Sequence, residues 1–262
     1  TKEGLPFEVQ YLTAADELVF FSNTNWTTFD LSTGEYITKL GQLRRLTISG
    51  YGLVDLDPDF KNLKNLESLD ISVNNFEKIP EVLTKENFPK LHALYLNTCQ
   101  RGVIYDLSNT TTTHFGGLFE ETDQTREFPR RLLEWDNLDT LTLSVNYLQG
   151  RIPDMKDYAQ KYTQADISAA DSLPQALVGT PKVLPNIKRF SINLNRLTGE
   201  LPEWLLHHPA LDWMDPFTLV FTQEGKDQDG KLAGFTNEPV NLDEYYRFYE
   251  GKKYLDPNKK EE

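Results

Sequence analysis

The chain has 262 residues, enough for one large domain or two small ones, and its 39% hydrophobic and 12% aromatic content suffices for a sizeable core. It carries 27 basic against 40 acidic residues, a net charge of −13, which argues against nucleic acid, where a basic footprint is expected, and against adsorption to anionic lipid. No run of about 18 apolar residues occurs, so no transmembrane helix is expected, and Cys99, the single cysteine, excludes an intrachain disulfide while leaving the redox compartment open.

In chain order, the opening TKEGLPFEVQ holds no apolar signal region, and any export signal is expected to have been trimmed. A spaced frame, L-x-x-L-x-L-x-x-N, then recurs. A weak first copy runs through Ala15, Leu18, Phe20 and Asn23. The second has Leu43, Leu46, Ile48 and Leu53, with Tyr51 at the Asn position. The third is complete, with Leu66, Leu69, Ile71, Asn74 and Phe76. The fourth has Leu91, Leu94 and Leu96, with Cys99 replacing the Asn. The fifth has Leu138, Leu141, Leu143, Asn146 and Leu148, and the sixth Ile187, Phe190, Ile192, Asn195 and Leu197. First positions at 15, 43, 66, 91, 138 and 187 are separated by 28, 23, 25, 47 and 49 residues. The last two steps are about double and contain no second frame, so each reads as one repeat plus an insertion, near 103–131 and near 154–183.

The chemistry of one copy predicts its shape. Two apolar residues separated by one position suit a short strand, whose side chains alternate between faces. One copy cannot bury its own apolar face, so stacked neighbours complete the core. The Asn amide satisfies backbone groups at the bend, where no regular ladder does so. Gly150 and Gly199 permit a turn that a Cβ would hinder, and Pro153 and Pro202 fix φ where the chain begins its return.

This set of copies resembles the leucine-rich-repeat family over about 15–205. The tails Leu148–Pro153 and Leu197–Pro202, of the form L-x-G-x-(I/L)-P, resemble the variant found in plant receptor ectodomains and some bacterial surface proteins. The resemblance implies an α/β solenoid with short parallel strands on its concave face. The unit spans 1–205, with a C-terminal cap and tail over 206–262 in the same domain. FTLVF at 217–221, the turn GKDQDGK and LAGF at 232–235 predict a capping β-hairpin that lays Phe217, Leu219 and Phe221 over the last coil. That ending resembles surface leucine-rich-repeat proteins of Bacteroidetes. The remaining NLDEYYRFYEGKKYLDPNKKEE predicts a short helix against the cap and a frayed charged end.

The insertions differ in character. The first contains SNTTTTHFGG, a flexible polar loop. In the second, Met155, Tyr158, Ala159 and Tyr162 at helical spacing predict one amphipathic helix. Long loops on a rigid scaffold carry function in some proteins and are decoration in others.

Catalytic chemistry finds no frame. His92, His114, His207 and His208 have no partner at zinc spacing and read as solvated or capping residues. Asp227-Gln228-Asp229-Gly230 is similar to the start of an EF-hand loop but lacks its third acid and bidentate Glu. A turn is the expectation there, with calcium as the alternative. No G-x-S-x-G, P-loop or G-x-G-x-x-G occurs. Cys99, at an Asn position, is expected buried and inert, and carboxylate pairs such as Glu120-Glu121 define no cleft. The sequons at Asn25 and Asn109 matter only in a eukaryotic secretory pathway, and Asp171-Ser172-Leu173 matches a short bacterial O-glycosylation motif. No cofactor, metal or catalytic residue is expected.

The outward strand positions form the candidate binding face. Val19, Thr47, Asp70, Tyr95, Thr142 and Ser191 make one row, and Phe21, Ser49, Ser72, Asn97, Ser144 and Asn193 the next. Of these, Asp70, Tyr95, Asn97, Thr142, Ser191 and Asn193 are the candidate ligand contacts. The expected role is non-enzymatic recognition of a protein, or of a glycan, by a monomer outside the cell or at a bacterial cell surface, where the resemblance places it as a secreted protein or lipoprotein. Two alternatives stand beside it: a structural spacer within a larger surface protein, and an enzyme with a site under an insertion.

Overall fold

The computed structural model describes residues 7–21, 34–97 other than 52, 54, 75, 77 and 78, the backbone of 104–105 and 112–113, then 127–169, 173, 175–211 other than 207, 222–226 and 229–237. Six strands form one parallel sheet. They are β1 (Glu17–Phe21), β2 (Arg45–Ser49), β3 (Ser68–Asp70), β4 (Ala93–Tyr95), β7 (Thr140–Thr142) and β9 (Arg189–Ser191), hydrogen-bonded in that order. The strands between them in sequence lie elsewhere. β5 (Ile104–Tyr105) and β6 (Thr112–Thr113) pair antiparallel within the first insertion, where a polar loop is expected from sequence. β8 (Gln149–Gly150) and β10 (Arg196–Gly199) form a second parallel sheet with β11 (Gly234–Phe235).

The main sheet aligns the repeat frame position by position. Leu18, Leu46, Leu69, Leu94, Leu141 and Phe190 face one another across successive strands. Because β4 pairs with β7 and β7 with β9, each long step is a single coil with extra chain. The apolar positions Leu43, Leu46 and Ile48, and their counterparts through Ile187, Phe190 and Ile192, are buried in one continuous core. Fully burying each such side chain contributes roughly 1.5–3 kcal/mol. The first copy is different: Leu18 and Phe20 are only partly buried, and Val19 and Phe21 are exposed.

Asn74, Asn146 and Asn195 are completely buried. Asn74 Nδ2 donates to the Ile48 and Ile71 carbonyls at 2.8 Å, and its Oδ1 accepts from the backbone N–H of Tyr51 and Leu53 at 3.3 and 3.1 Å. Asn195 does the same three coils further on, donating to Leu143 and Ile192 and accepting from Asn146 and Leu148. The side chain thus replaces the ladder where each coil turns out of the sheet. The residue before each of these asparagines, Val73, Val145 or Leu194, holds a left-handed φ of 55–62°, as Gly50 does at 80°.

The return segments are short helices: α1 (Gly34–Ile37), α2 (Arg130–Leu133), α3 (Gln164–Ala169) and α4 (Glu203–Leu206), with a 3-10 turn at Pro58–Asn62 capped by Asp57. The expected helix over 155–162 does not form. Met155 has a φ of 55°, Tyr158 N–H closes a turn onto the Met155 carbonyl, and Tyr162 N–H bonds the Thr180 carbonyl in an extended pairing. The helix starts instead at Gln164, where Thr163 and Asp166 cap each other's backbone: Asp166 N–H donates to Thr163 Oγ1 and Thr163 N–H to Asp166 Oδ2. LAGF also departs from expectation. Lys226 and Leu232 bridge antiparallel across the GKDQDGK turn, but Gly234–Phe235 then continues as β11, parallel to β10. Asn23, Cys99, His114, His207, residues 217–221, Asp227, Asp171, both sequons, Glu120-Glu121 and the aromatic tail lie outside the described residues.

Candidate functional site

The concave face of the sheet is built by the outward positions of four consecutive strands. Asp70 on β3 is in register with Tyr95 on β4, Tyr95 with Thr142 on β7, and Thr142 with Ser191 on β9. Four of the six candidate residues therefore form one uninterrupted row. Adjacent strands lie about 4.8 Å apart, so the row spans three such steps, or roughly 14 Å.

The next row is tied to it by hydrogen bonds. Asp70 Oδ1 accepts from Ser72 N–H at 2.9 Å, and Ser72 Oγ accepts from Asn97 N–H at 3.1 Å. Asn97 Oδ1 accepts from Ser144 N–H at 3.0 Å. Ser144 Oγ lies 2.6 Å from Ser191 Oγ, and both serine hydroxyls reach Asn193 Oδ1, that of Ser191 at 2.9 Å. A single chain of polar contacts thus runs from Asp70 to Asn193 across four coils and fixes the rotamers along it. Within it the amide nitrogen of Asn193 makes no hydrogen bond among the described residues, so it is a donor available to a ligand carbonyl or hydroxyl.

Thr142 sits at the middle of the row but is only 5% exposed, and its hydroxyl has no hydrogen-bond partner among the described residues. It forms the floor rather than the surface of the face, whereas Asp70, Tyr95, Asn97, Ser191 and Asn193 are half-buried. Tyr95 is the one large amphipathic side chain in the row.

One edge of this face alternates acidic and basic residue types. Where the coils enter the sheet, Asp16, Arg44, Glu67, His92, Asp139 and Lys188 follow one another, and each of the first five backbone carbonyls takes two N–H groups of the next coil. Arg44 makes two parallel bonds to Glu67, at 2.9 and 2.8 Å, and this hydrogen-bonded guanidinium holds Glu67 below the usual carboxylate range. His92 Nδ1 lies 3.1 Å from Asp139. His208 is buried away from this face: Nε2 contacts the Val183 and Leu184 carbonyls and Nδ1 accepts from the N–H groups of Ala210 and Leu211. It is a backbone cap, within the solvated-or-capping reading of the histidines. Among the described residues no three metal-ligating side chains come together, and no helix is long and apolar enough to cross a membrane.

A leucine-rich-repeat family model matches residues 65–85, the segment that holds β3 and Asn74. No match was found among curated proteins. Among solved structures, a leucine-rich-repeat protein of Leptospira interrogans shares 19% identity at a TM-score of 0.53, over 90% of this chain and 42% of that one. A plant peptide hormone receptor, RGFR1 in complex with RGF2, shares 18% identity at a TM-score of 0.45, over 86% of this chain and 30% of the receptor. The ectodomain of the Arabidopsis receptor kinase HAESA, in complex with an N-terminally extended IDA peptide hormone, shares 18% at 0.45, over 88% and 28%. The chain spans less than half the length of each of these three. Its parallel strand ladder, its buried asparagines and the matched repeat together make its fold that of a leucine-rich-repeat solenoid.

Proposed function

We propose that this solenoid is a non-enzymatic recognition module that binds a protein ligand, with glycans as the second class, through the row Asp70–Tyr95–Thr142–Ser191 and the adjoining Asn97 and Asn193. The observation that carries this reading is the hydrogen-bonded chain from Asp70 to Asn193. Side chains already held in one rotamer lose little entropy on binding, so more of the contact energy appears as affinity. Tyr95 supplies the amphipathic area typical of an interface anchor, Asp70 an acceptor and Asn193 Nδ2 a donor for an extended peptide. Stacked coils make such concave surfaces as a matter of geometry. The module is a monomer of about six coils over 1–205, closed by 206–262. It works outside the cell or at a bacterial cell surface, as a secreted protein or lipoprotein. Its L-x-G-x-(I/L)-P tails support that setting through their resemblance to surface proteins.

The test is a binding screen of the immobilised chain against extracellular proteins and polysaccharides, repeated with Tyr95→Ala and Asp70→Arg. A ligand weakened about tenfold or more by both variants supports the concave site. A ligand bound equally well by both variants moves recognition away from this face.

A further inference from the structure

A second concavity lies away from the concave sheet, between the tails of the last two coils and the second insertion. It has a volume of about 830 Å³, within the range of small-molecule sites, roughly 300–1,000 Å³. None of the outward residues of the main sheet lines it. Its apolar walls come from Ile152, Leu177, Leu201 and Trp204, with proline rings around them. These residues belong to three chain segments, and the insertion contributes Tyr162, Ala176, Leu177, Thr180 and Pro181 to the lining.

The polar groups in this cleft divide into two sets. Most are already used. Trp204 Nε1 donates to the Pro153 carbonyl at 2.8 Å, Thr180 Oγ1 to the Leu177 carbonyl at 2.7 Å, and Lys156 faces Asp154 at 3.6 Å. His208 is fully engaged with backbone. Two donors have no partner among the described residues. Tyr162 is 5% exposed, and its hydroxyl, sealed within the wall, has no hydrogen-bond partner among the described residues. Arg151 makes no ion pair or side-chain hydrogen bond among the described residues. Its position is nevertheless determined: its stem crosses the backbone of Gly199, where an added Cβ would lie 2.9 Å from Arg151 Cγ and Nε. Gly199, at a φ of +84°, leaves the room that this crossing needs.

We propose that this cleft binds a small amphipathic molecule with an apolar body and a single anionic head, such as a carboxylate or sulfonate. The body occupies the walls around Trp204 and Leu177, and the head takes the Arg151 guanidinium as its donor. Glu200 and Glu203 add negative charge to the same rim, which disfavours a ligand with a second anionic group. This site is independent of the concave face and stands whether or not that face binds a protein.

The experiment uses two fluorescent probes with nearly the same body, 8-anilinonaphthalene-1-sulfonate with an anionic head and N-phenyl-1-naphthylamine without one. Both are titrated into the full chain, with near-UV circular dichroism confirming native packing of every variant. Ala176 is exposed at the cleft, so Ala176→Arg plugs it without opening the core. The expected result is that both probes brighten with the unmodified chain and that Ala176→Arg abolishes both signals. Arg151→Gln is expected to weaken the sulfonate about tenfold and leave the neutral probe unchanged, and Tyr95→Ala to change neither. No brightening with the unmodified chain overturns the site, as does brightening that Ala176→Arg leaves intact. Equal effects of Arg151→Gln on both probes overturn the assignment of the anionic head.

Discussion

Replacing Asn195 tests the reasoning behind the whole fold. Its side chain is completely buried and makes four hydrogen bonds: Nδ2 to the Leu143 and Ile192 carbonyls at 2.9 and 2.8 Å, and Oδ1 from the N–H groups of Asn146 and Leu148 at 2.8 and 3.2 Å. Each contributes about 1 kcal/mol net, and buried backbone groups left without a partner cost about 1–3 kcal/mol each. Asn195→Ala removes all four and is therefore expected to cost at least about 4 kcal/mol, a large part of the roughly 5–15 kcal/mol that holds a domain together. In a chain of this size that corresponds to a fall in Tm of roughly 8–16 °C. The measurement is urea unfolding followed by tryptophan fluorescence, with Lys188→Ala, an exposed residue one coil edge away, as the control. Asn195→Asp keeps the shape but sets oxygen against two carbonyls, and it is expected to lose at least as much above the carboxylate range. A loss below about 1 kcal/mol for Asn195→Ala would refute the claim that the amide stands in for the missing ladder.

Two further outcomes follow from local geometry. Val73 is a β-branched residue at a φ of 57°, a conformation that costs L-residues about 1–2 kcal/mol, so Val73→Asn is expected to raise the urea midpoint by the equivalent of up to about 1 kcal/mol; a clear fall would show that the half-buried valyl contacts outweigh the strain. Asp166 accepts from Lys182 Nζ at 2.5 Å and from Thr163, and the ammonium, together with the Thr163 bonds, lowers its pKa to about 2. A carboxylate depressed in the folded state stabilises fully above its ordinary range and loses that contribution as pH falls toward the folded value. Amide hydrogen exchange in α3 is thus expected to accelerate as pH drops from 5 toward 2 beyond the intrinsic trend, and Asp166→Asn should remove that excess; the same excess in the variant would place its origin elsewhere.

How much of this was legible in the chain depends on the range of the interaction. The second apolar position of each frame carried the strand register, because a residue that must be buried on one face fixes the pairing to within a two-residue slip. That constraint survives steps of 47 and 49 residues, so Leu94 meets Leu141 and Leu141 meets Phe190. The concave row follows from the same count. What failed was local. Met155, Tyr158 and Tyr162 are spaced as on a helix, but a turn followed by an extended segment also brings residues three and four apart to one side. The usable signal was the capping pair Thr163 and Asp166 one step later. The burial of Thr142 and the cleft under the insertion had no local signal at all. Arg151, Tyr162 and Trp204 meet only because two coils and an insertion stack, and no spacing rule on a single chain encodes that.

The last coil shows why the asparagine matters less as a residue type than as a set of hydrogen bonds. Gln223 carries the amide there: its Nε2 donates to the Ile192 carbonyl at 3.1 Å, and its Oε1 accepts from Leu197 N–H at 3.0 Å. Leu197 stands where Leu148 stands toward Asn195. Thr222 and Asn195 carbonyls meanwhile accept from Leu194 and Glu224 N–H groups at 2.6 and 2.7 Å. Further along, Asn237 accepts from Leu201 N–H and donates to the Leu201 carbonyl. Residues 222–237 thus give the sixth coil most of the bonds a seventh would give. The extra methylene of glutamine lets the amide reach from a chain that does not repeat the frame. The contrast with the other side is physical. Among the described residues β1 pairs only with β2, and Val19 and Phe21 stand 60% and 70% exposed. Open strand edges invite pairing with other chains. Among the described residues, one edge of the sheet is closed by side-chain amides, and the other, at β1, presents apolar surface at Val19 and Phe21.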